Sequence, residues 1–293
     1  MEHYYLDFEP MSKMFYVADS VIRKFENEGK VPIFELGAHD YMKIGCGISP
    51  DFDAPIIGFL AERSGNCYSI KNSSLLAIAK KGFRIRLLTY EHCEQQLNDC
   101  SGVILEGTSY VFPKSYYVES WKQSEFGTEM NVQACLLCLR QAIRLQIPIL
   151  GIGDCALVIA CDFGLKIYPD IKCIETPIQH MTNKPEAHRL NVLQNSPLSR
   201  LFFNNKNQMF VNSRHTAILA PKHIQYEIFA ARFHIDIRDA ELPFDIYAEA
   251  NDGVPEAWGT EKLHILCVQW YPESNPSMQG IYEWLAEEIS MLY

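Results

Sequence analysis

Short apolar runs alternate with helical patterns through the middle of the chain. Between these runs, apolar residues recur at the spacing of an amphipathic helix. Strands that alternate with helices are typical of a parallel sheet covered on both faces. The pattern predicts strands at residues 55–60 (PIIGFL), 83–89 (FRIRLLT), 102–107 (GVILEG) and 148–153 (PILGIG), and helices at residues 75–82 and 130–145.

The second half of the chain has few helical patterns. Runs rich in β-branched and aromatic residues follow one another, which predicts strands in hairpins and a mixed sheet. A final apolar pattern from Ile281 to Leu292 predicts a closing helix. The two halves together predict an α/β fold with a mostly parallel central sheet and a smaller β-rich region. The β-rich runs lie at residues 171–176, 188–193, 207–213, 226–233 and 263–270.

Residues 1–54 precede this alternation and are interpreted as an N-terminal extension with one amphipathic helix. Apolar residues between Met14 and Phe25 recur at helical spacing, and Glu28 and Gly29 end the pattern. No linker or internal repeat is visible after residue 54. We therefore predict that residues 55–293 form one domain.

Composition and charge narrow the class of protein. Of the 293 residues, 48% are hydrophobic and 21% are charged, which excludes disordered and collagen-like chains. The net charge is −10, and no run of basic residues interrupts this acidic background. The charge therefore argues against nucleic acid and anionic membranes as partners.

The cysteines and the hydropathy of the chain indicate a compartment. The 10 cysteines are scattered along the sequence, which favours reduced thiols over a disulfide framework. No apolar stretch approaches the roughly 18 residues needed to cross a bilayer, and the N-terminus lacks the basic and apolar regions of an export signal. We expect a cytoplasmic protein, in either the producing cell or a host cell.

Residues 148–160 predict a strand that runs through a glycine-rich turn into a helix, where α/β enzymes often hold a nucleophile or an anion. Gly151, Gly153 and Ala156 match the dinucleotide-binding pattern G-x-G-x-x-A. That pattern normally follows the first strand of its unit, whereas here it follows at least the fourth. We therefore expect no cofactor. Cys135 and Cys138 lie in a helical run without a second ligand pair, so we also expect no metal site.

Six segments, taken in order, resemble motifs of one known family. PIIGFLAE resembles its opening strand, residues 102–117 (GVILEGTSYVFPKSYY) its P-G-G-x-D-x-x-P loop, and PILGIGDC its P-x-L-G-I-C-x-G elbow. SPLSRLF, VNSRHTA and VQWYPE resemble its later S-x-L, V-N-S-x-H-H and V-Q-W-H-P-E segments. The family is the class I glutamine amidotransferase-like superfamily, most closely its γ-glutamyl-GABA and γ-glutamyl hydrolase branch. The resemblance covers residues 55–293 and implies a flavodoxin-like fold.

The resemblance implies cysteine chemistry whose decisive groups are replaced. In the family, a thiolate at the elbow attacks a γ-glutamyl amide, a histidine moves the proton, and a glutamate orients the histidine. The thiolate position falls on Gly153 and the histidine position on Tyr271, whereas Glu273 is retained. The family's oxyanion donors fall beside Asp154 and on Glu106-Gly107-Thr108, where carboxylates would oppose a developing oxyanion.

Two further residues leave alternatives open. Cys155 is either a displaced nucleophile or a buried cysteine, and a helix that begins at the turn would rotate it by roughly 200° from the elbow position. His215 either lines the cleft or is hydrogen-bonded at the end of a strand. The predicted binding residues are Gly107, Thr108, Asp154, Asn212 and His215.

The leading hypothesis is a degenerate γ-glutamyl hydrolase, a pseudoenzyme that binds a small amino-acid-like ligand or a protein partner. The alternative is a hydrolase or transferase of γ-glutamyl or related amides that uses Cys155 as nucleophile, together with His215. A third hypothesis is an interaction protein whose working surface is residues 1–54. In that case, deletion of these residues would leave the rest of the chain folded.

Overall fold

The computed structural model describes residues 2–4, 6–11, 14–108, 110–118, 129–202 and 208–292. The chain forms two compact units. Unit 1 comprises Met1–Glu106, Met130–Ile149 and Leu285–Tyr293, and unit 2 comprises Gly107–Glu129 and Leu150–Trp284.

Strands and helices alternate along most of the chain. The first elements are β1 (Glu2–Tyr4), β2 (Asp7–Glu9), β3 (Met14–Ala18), α1 (Asp19–Asn27), β4 (Pro32–Glu35), α2 (Ala38–Lys43), β5 (Ile56–Leu60), β6 (Glu62–Ser64), β7 (Cys67–Lys71), α3 (Asn72–Ala79), β8 (Arg84–Leu88), α4 (Cys93–Gln96), β9 (Gly102–Gly107) and α5 (Glu129–Leu145). They are followed by β10 (Ile149–Gly153), α6 (Asp154–Asp162), β11 (Ile167–Tyr168), β12 (His188–Val192), α7 (Pro197–Phe202), β13 (Gln208–Val211), β14 (Ile218–Leu219), α8 (Lys222–Phe233), β15 (Asp245–Ala250), β16 (Pro255–Thr260), β17 (Ile265–Val268) and α9 (Ile281–Leu292).

Unit 1 contains strands in the order β1-β4-β8-β5-β9. β5 pairs in parallel with β8 and β9, and β1 pairs in parallel with β4, whereas β4 and β8 are antiparallel. β9 is buried along its whole length, as expected for a central strand of a sheet covered on both faces. A separate antiparallel sheet has the order β2-β3-β7-β6.

Unit 2 contains strands in the order β10-β17-β16-β15-β12-β13. The pairs from β17 to β13 are all antiparallel, and β11 pairs with β14 in a small separate sheet. The predicted α/β fold, with a mostly parallel central sheet and a β-rich second half, is confirmed. Within the residues described, we find no helix with both the length and the apolar character needed to span a membrane.

The helix predicted near the N-terminus is shorter than its hydrophobic pattern suggests. Residues Met14–Ala18 form strand β3, in which Phe15 and Val17 are buried and their neighbours are half-buried. Helix α1 begins only at Asp19, and it buries Ile22 and Phe25 on one face. The two periods overlap by chance, because apolar residues at 15, 17, 22 and 25 satisfy an alternating strand and then a helix. The division of the chain at residue 54 stays a prediction.

Two segments predicted as strands have other structures. Residues 226–233 belong to helix α8, which follows Pro221 and buries Gln225, Phe229 and Ala230 on one face. Within residues 171–176, Ile171–Cys173 form a short 3-10 helix. In α8 the aromatic and β-branched residues imitate a strand, but burial at positions four residues apart is the helical signal.

Candidate functional site

The strand-turn-helix segment predicted from residues 148–160 is present in unit 2. Strand β10 ends at Gly153, and helix α6 begins at the next residue, Asp154. Gly153 has φ +62° and ψ −128°, a conformation that strains any residue with a side chain. The turn therefore has the sharp geometry of a nucleophile elbow, with glycine at its tip.

The space beside Gly153 is already occupied. A Cβ atom built at Gly153 would lie 2.6 Å from the carbonyl oxygen of Gly107 and 2.8 Å from the Tyr271 hydroxyl oxygen. It would also lie 3.0 Å from Cε1 of the Tyr271 ring. Because one of these contacts is with backbone, rotation of a side chain cannot relieve all of them. The elbow cannot accept even a methyl group in this arrangement.

Tyr271 is fixed in place from both ends. Its hydroxyl donates a hydrogen bond to Gly107 O at 3.3 Å, and its side chain is buried. The Asn212 side chain holds the backbone of Tyr271, because Nδ2 donates to Tyr271 O at 2.7 Å and Oδ1 accepts from Tyr271 N at 3.0 Å. Asn212, predicted to bind a ligand, therefore uses its amide to position Tyr271.

Asp154 and Cys155 are both joined to Tyr110, a residue of the loop after β9. Asp154 Oδ2 accepts a hydrogen bond from the backbone N–H of Tyr110 at 2.7 Å, so its carboxylate connects this loop to the start of α6. Cys155 is fully buried, and its Sγ lies 3.3 Å from the Tyr110 hydroxyl oxygen. A Cβ atom built at Gly107 would lie 2.6 Å from Cζ of the Tyr110 ring. The ring of Tyr110 thus covers Gly107, as Tyr271 covers Gly153.

The remaining predicted residues differ in their surroundings. Thr108 is half-buried directly after Gly107, and Glu273 is half-buried in the 3-10 helix Pro272–Ser274 that follows Tyr271. The structure therefore brings together Gly107, Gly153 and Tyr271 by direct contact. Asn212 reaches this group through the Tyr271 backbone.

His215 belongs to a second group of buried polar side chains, arranged around Glu256 in β16. The Glu256 Oε1 atom lies 3.0 Å from His180 Nδ1, 3.1 Å from His188 Nε2 and 3.3 Å from His215 Nε2. His215 Nε2 also lies 3.0 Å from Ser213 Oγ. We call His180, His188, His215 and Glu256 the histidine-glutamate cluster.

The histidine-glutamate cluster and the neighbouring Asp252 form an ionic network in the absence of a ligand. Burial alone would lower the pKa of His180, but hydrogen bonds to Asp252 and Glu256 outweigh burial and raise its pKa to about 9. Burial alone would raise the pKa of Glu256, yet the charge of His215 and the hydrogen bond with His180 hold this pKa well below its usual range. Both carboxylates are therefore ionised inside unit 2.

Sequence reasoning missed Tyr110 as a central residue, and it missed three members of this network. In the sequence, Tyr110 is only one of several tyrosines near a loop. His180, His188 and Glu256 are separated by up to 76 residues, and they share no motif spacing. Their proximity results from the pairing of β12 with β15 and of β15 with β16, which a single sequence does not reveal.

A family model described as peptidase C26 matches residues 82–273, which is more than half of the chain. The chain belongs to the peptidase C26 family. The matched region contains both the elbow and the residues that fill it. The predicted membership of the class I glutamine amidotransferase-like superfamily is thereby confirmed, whereas the γ-glutamyl hydrolase branch stays a prediction.

Individual relatives of this peptidase C26 family member agree with the assignment. It is 27% identical over 189 residues to the glutamine amidotransferase-like protein YvdE of Lactococcus lactis subsp. lactis, covering 62% of this chain and 70% of the relative. A Thermoplasma acidophilum structure, described as a GMP synthase protein, matches with TM-score 0.55 and 12% identity, covering 83% of this chain and 97% of that one. The CTPS glutaminase domain of Trypanosoma brucei, solved with bound acivicin, matches with TM-score 0.51 and 15% identity, covering 80% and 95% respectively. At these identities, the two structures show the fold of this peptidase C26 family member and nothing finer.

Proposed function

We propose that this peptidase C26 family member has no cysteine-dependent amidase activity and acts by binding an amino-acid-like ligand or a protein. The observation that carries the proposal is the filled elbow. A Cβ atom at position 153 would meet Gly107 O at 2.6 Å and the Tyr271 hydroxyl oxygen at 2.8 Å. Loss of the thiol is therefore accompanied by loss of the space that a thiol would need.

The chemistry of the replacing groups supports the same proposal. Gly153 offers no nucleophile, and an unperturbed tyrosine, with a pKa near 10, is a poor general base at neutral pH. The Tyr271 hydroxyl is also engaged with Gly107 O. Glu273 keeps the position that orients an imidazole in the family, but a phenol stands at the imidazole position two residues before it. The triad has lost two of its three roles.

The burial of Cys155 argues against a displaced nucleophile. Its side chain has no solvent exposure, and its sulfur faces the Tyr110 hydroxyl at 3.3 Å. His215, the histidine that would activate it, lies against Ser213 and Glu256. Since a nucleophile and its base need to approach within hydrogen-bonding distance, these separate partners favour a structural role for both residues.

A hydrolysis assay with γ-glutamyl amides and glutamine tests the proposal directly. We expect no turnover above the uncatalysed rate for the full chain, and no change on Cys155→Ala. A thiol-alkylating reagent, mapped by mass spectrometry, should modify the half-buried Cys46, Cys67 and Cys173 before Cys155. Turnover that Cys155→Ala abolishes would show that the nucleophile has moved, and the proposal would then be wrong.

Thermal-shift measurements with glutamine, glutamate and γ-glutamyl compounds test the binding half of the proposal. An increase in Tm without turnover supports a retained small-molecule site. If none of these compounds changes Tm, the small-molecule form of the proposal is wrong and a protein partner becomes the form to test. The two assays together separate a binding protein from an enzyme of changed mechanism.

A further inference from the structure

The histidine-glutamate cluster contains more nitrogen donors than one carboxylate oxygen can satisfy. Three imidazole nitrogens, from His180, His188 and His215, lie within 3.3 Å of the single atom Glu256 Oε1. A carboxylate oxygen offers about two lone pairs. The other oxygen, Glu256 Oε2, is buried and has no hydrogen-bond partner among the residues that the structure describes. A purely hydrogen-bonded network leaves this buried oxygen unsatisfied, which is costly.

The donor spacing suits a small tetrahedral cation. His180 Nδ1, His188 Nε2 and Glu256 Oε1 all lie within 4.8 Å of one another, and the two nitrogens lie 3.0 and 3.1 Å from the oxygen. Donors bound to Zn²⁺ at about 2.0–2.1 Å in a tetrahedron are about 3.3 Å apart. Small outward movements of the side chains would therefore admit the ion. His215 Nε2 is a further donor, 3.3 Å from the same oxygen.

The surroundings supply the outer contacts that metal-binding histidines usually have. His180 presents Nδ1 to the cluster, while its Nε2 lies 2.9 Å from Asp252 Oδ2. Asp252 Oδ2 in turn accepts a hydrogen bond from Thr176 Oγ1 at 2.6 Å. A carboxylate on the far nitrogen fixes the orientation of the ring and increases the basicity of the ligand atom.

Charge balance also favours a divalent cation. Asp252 and Glu256 bring two negative charges into the interior, and their side chains are only 5% and 0% exposed. Buried carboxylates require compensation by cations or by hydrogen bonds. One divalent cation with neutral imidazole ligands would balance both charges. The mixed nitrogen and oxygen donors suit Zn²⁺ rather than Ca²⁺ or Mg²⁺, which prefer oxygen ligands.

We propose that His180, His188 and Glu256 bind a divalent cation of the Zn²⁺ type through Nδ1, Nε2 and Oε1. The ion connects the segment before β12, the start of β12 and the start of β16 within unit 2. Its role is to stabilise this region, because the site is buried. The proposal is independent of the filled elbow and of the proposed function.

Zinc content and thermal stability of the full chain, without a histidine tag, test the site. After removal of metal with EDTA and reconstitution with Zn²⁺, we expect one Zn²⁺ per chain. The increase in Tm should be roughly 4 °C at about 100 times the Kd. Asp252→Asn should weaken binding by roughly 10–100-fold while keeping the stoichiometry. Absence of bound Zn²⁺ and an unchanged Tm would overturn the proposal.

Variants assign the metal to these ligands. His188→Gln and Glu256→Gln should lose the bound Zn²⁺, whereas His223→Gln, on the exposed surface of α8, should retain it. Retention by His188→Gln would contradict the proposal.

Cobalt spectroscopy of the unaltered chain keeps the test valid if these variants fail to fold. Bound Co²⁺ should give tetrahedral d–d bands without thiolate charge transfer. A thiolate band would move the metal to the cysteines and overturn the assignment.

Discussion

At the scale of single residues, Gly153 and Tyr271 behave as a matched pair. The glycine leaves the space that the tyrosine fills, and the tyrosine hydroxyl reaches across this space to Gly107 O. A cysteine at position 153 would need a different residue at 271 and a shift of the Gly107 backbone. The two replacements are therefore coupled sterically as well as chemically.

This coupling predicts a non-additive effect on stability. Gly153→Ala should lower the free energy of unfolding by about 2–4 kcal/mol, because backbone strain and a steric clash both oppose it. In a Tyr271→Ala background, the penalty should shrink by about 1 kcal/mol, since only the contacts with Tyr271 disappear. Urea denaturation of the four members of this double-mutant cycle measures the difference.

Gly65→Ala provides the control for backbone strain alone. Gly65 has φ +60°, and a Cβ atom there would meet no atom within 4 Å, so the substitution should cost only about 1–2 kcal/mol. Equal penalties at Gly65 and Gly153, or strict additivity with Tyr271→Ala, would contradict the steric argument.

At the scale of elements, Asn212 connects the end of β13 to the segment after β17. Both atoms of its amide group are used on the backbone of Tyr271, and the side chain is buried. Asn212→Ala would leave the Tyr271 N–H and C=O groups without these partners. We expect a loss of about 2–3 kcal/mol in stability and faster hydrogen exchange at the Tyr271 amide.

Asn191 on strand β12 offers a matched control. Its amide donates to Asn251 Oδ1 at an exposed site, so Asn191→Ala should change stability by less than about 0.5 kcal/mol. If Asn212→Ala were equally mild, the amide would not be holding Tyr271.

The sequence predicts elements well where one period dominates and poorly where two periods overlap. Strands β5, β8, β9 and β10 fall where apolar runs indicate them, because buried parallel strands are apolar on both faces. The segment from Met14 to Phe25 satisfies a helical period but contains β3 and then α1. Long-range pairing of β3 with β7 decides that case, and local periodicity contains no record of it.

The candidate site is predictable only as far as motifs extend. The elbow at Gly153 and its relation to Tyr271 follow from ordered motif matches. The roles of Asn212 and Tyr110 do not, because hydrogen-bond partners 59 and 44 residues apart depend on the fold. The histidine-glutamate cluster is hidden for the same reason.

At the scale of the whole molecule, the question is whether residues 1–54 are an appendage. In unit 1, β4 pairs with both β1 and β8, and β3 pairs with β7. Tyr41 Oη accepts a hydrogen bond from Ile85 N at 2.9 Å and donates one to Phe83 O. Glu35 forms ion pairs with Arg84 at 2.7 Å and with the buried Arg86 at 2.6 Å. These contacts make residues 1–54 part of the core of unit 1.

We therefore predict that deletion of residues 1–54 abolishes cooperative unfolding of unit 1. The deletion would expose the β7 and β8 edges and remove the Glu35 partner of Arg86, whose side chain is 4% exposed. Circular dichroism and urea titration of residues 55–293 measure the result. A soluble fragment that unfolds cooperatively would restore the hypothesis of a separable N-terminal extension.

A point variant in the full chain separates the ion pair from the lost strands. Glu35→Ala should destabilise by about 3 kcal/mol, the lower end for a broken buried pair, because Gln96 O still accepts from Arg86 at 2.8 Å. Glu28→Ala, which removes the exposed pair with Lys30, should cost less than about 1 kcal/mol. If the two variants were equally mild, the contribution of residues 1–54 would rest on strand pairing and apolar burial rather than on charge.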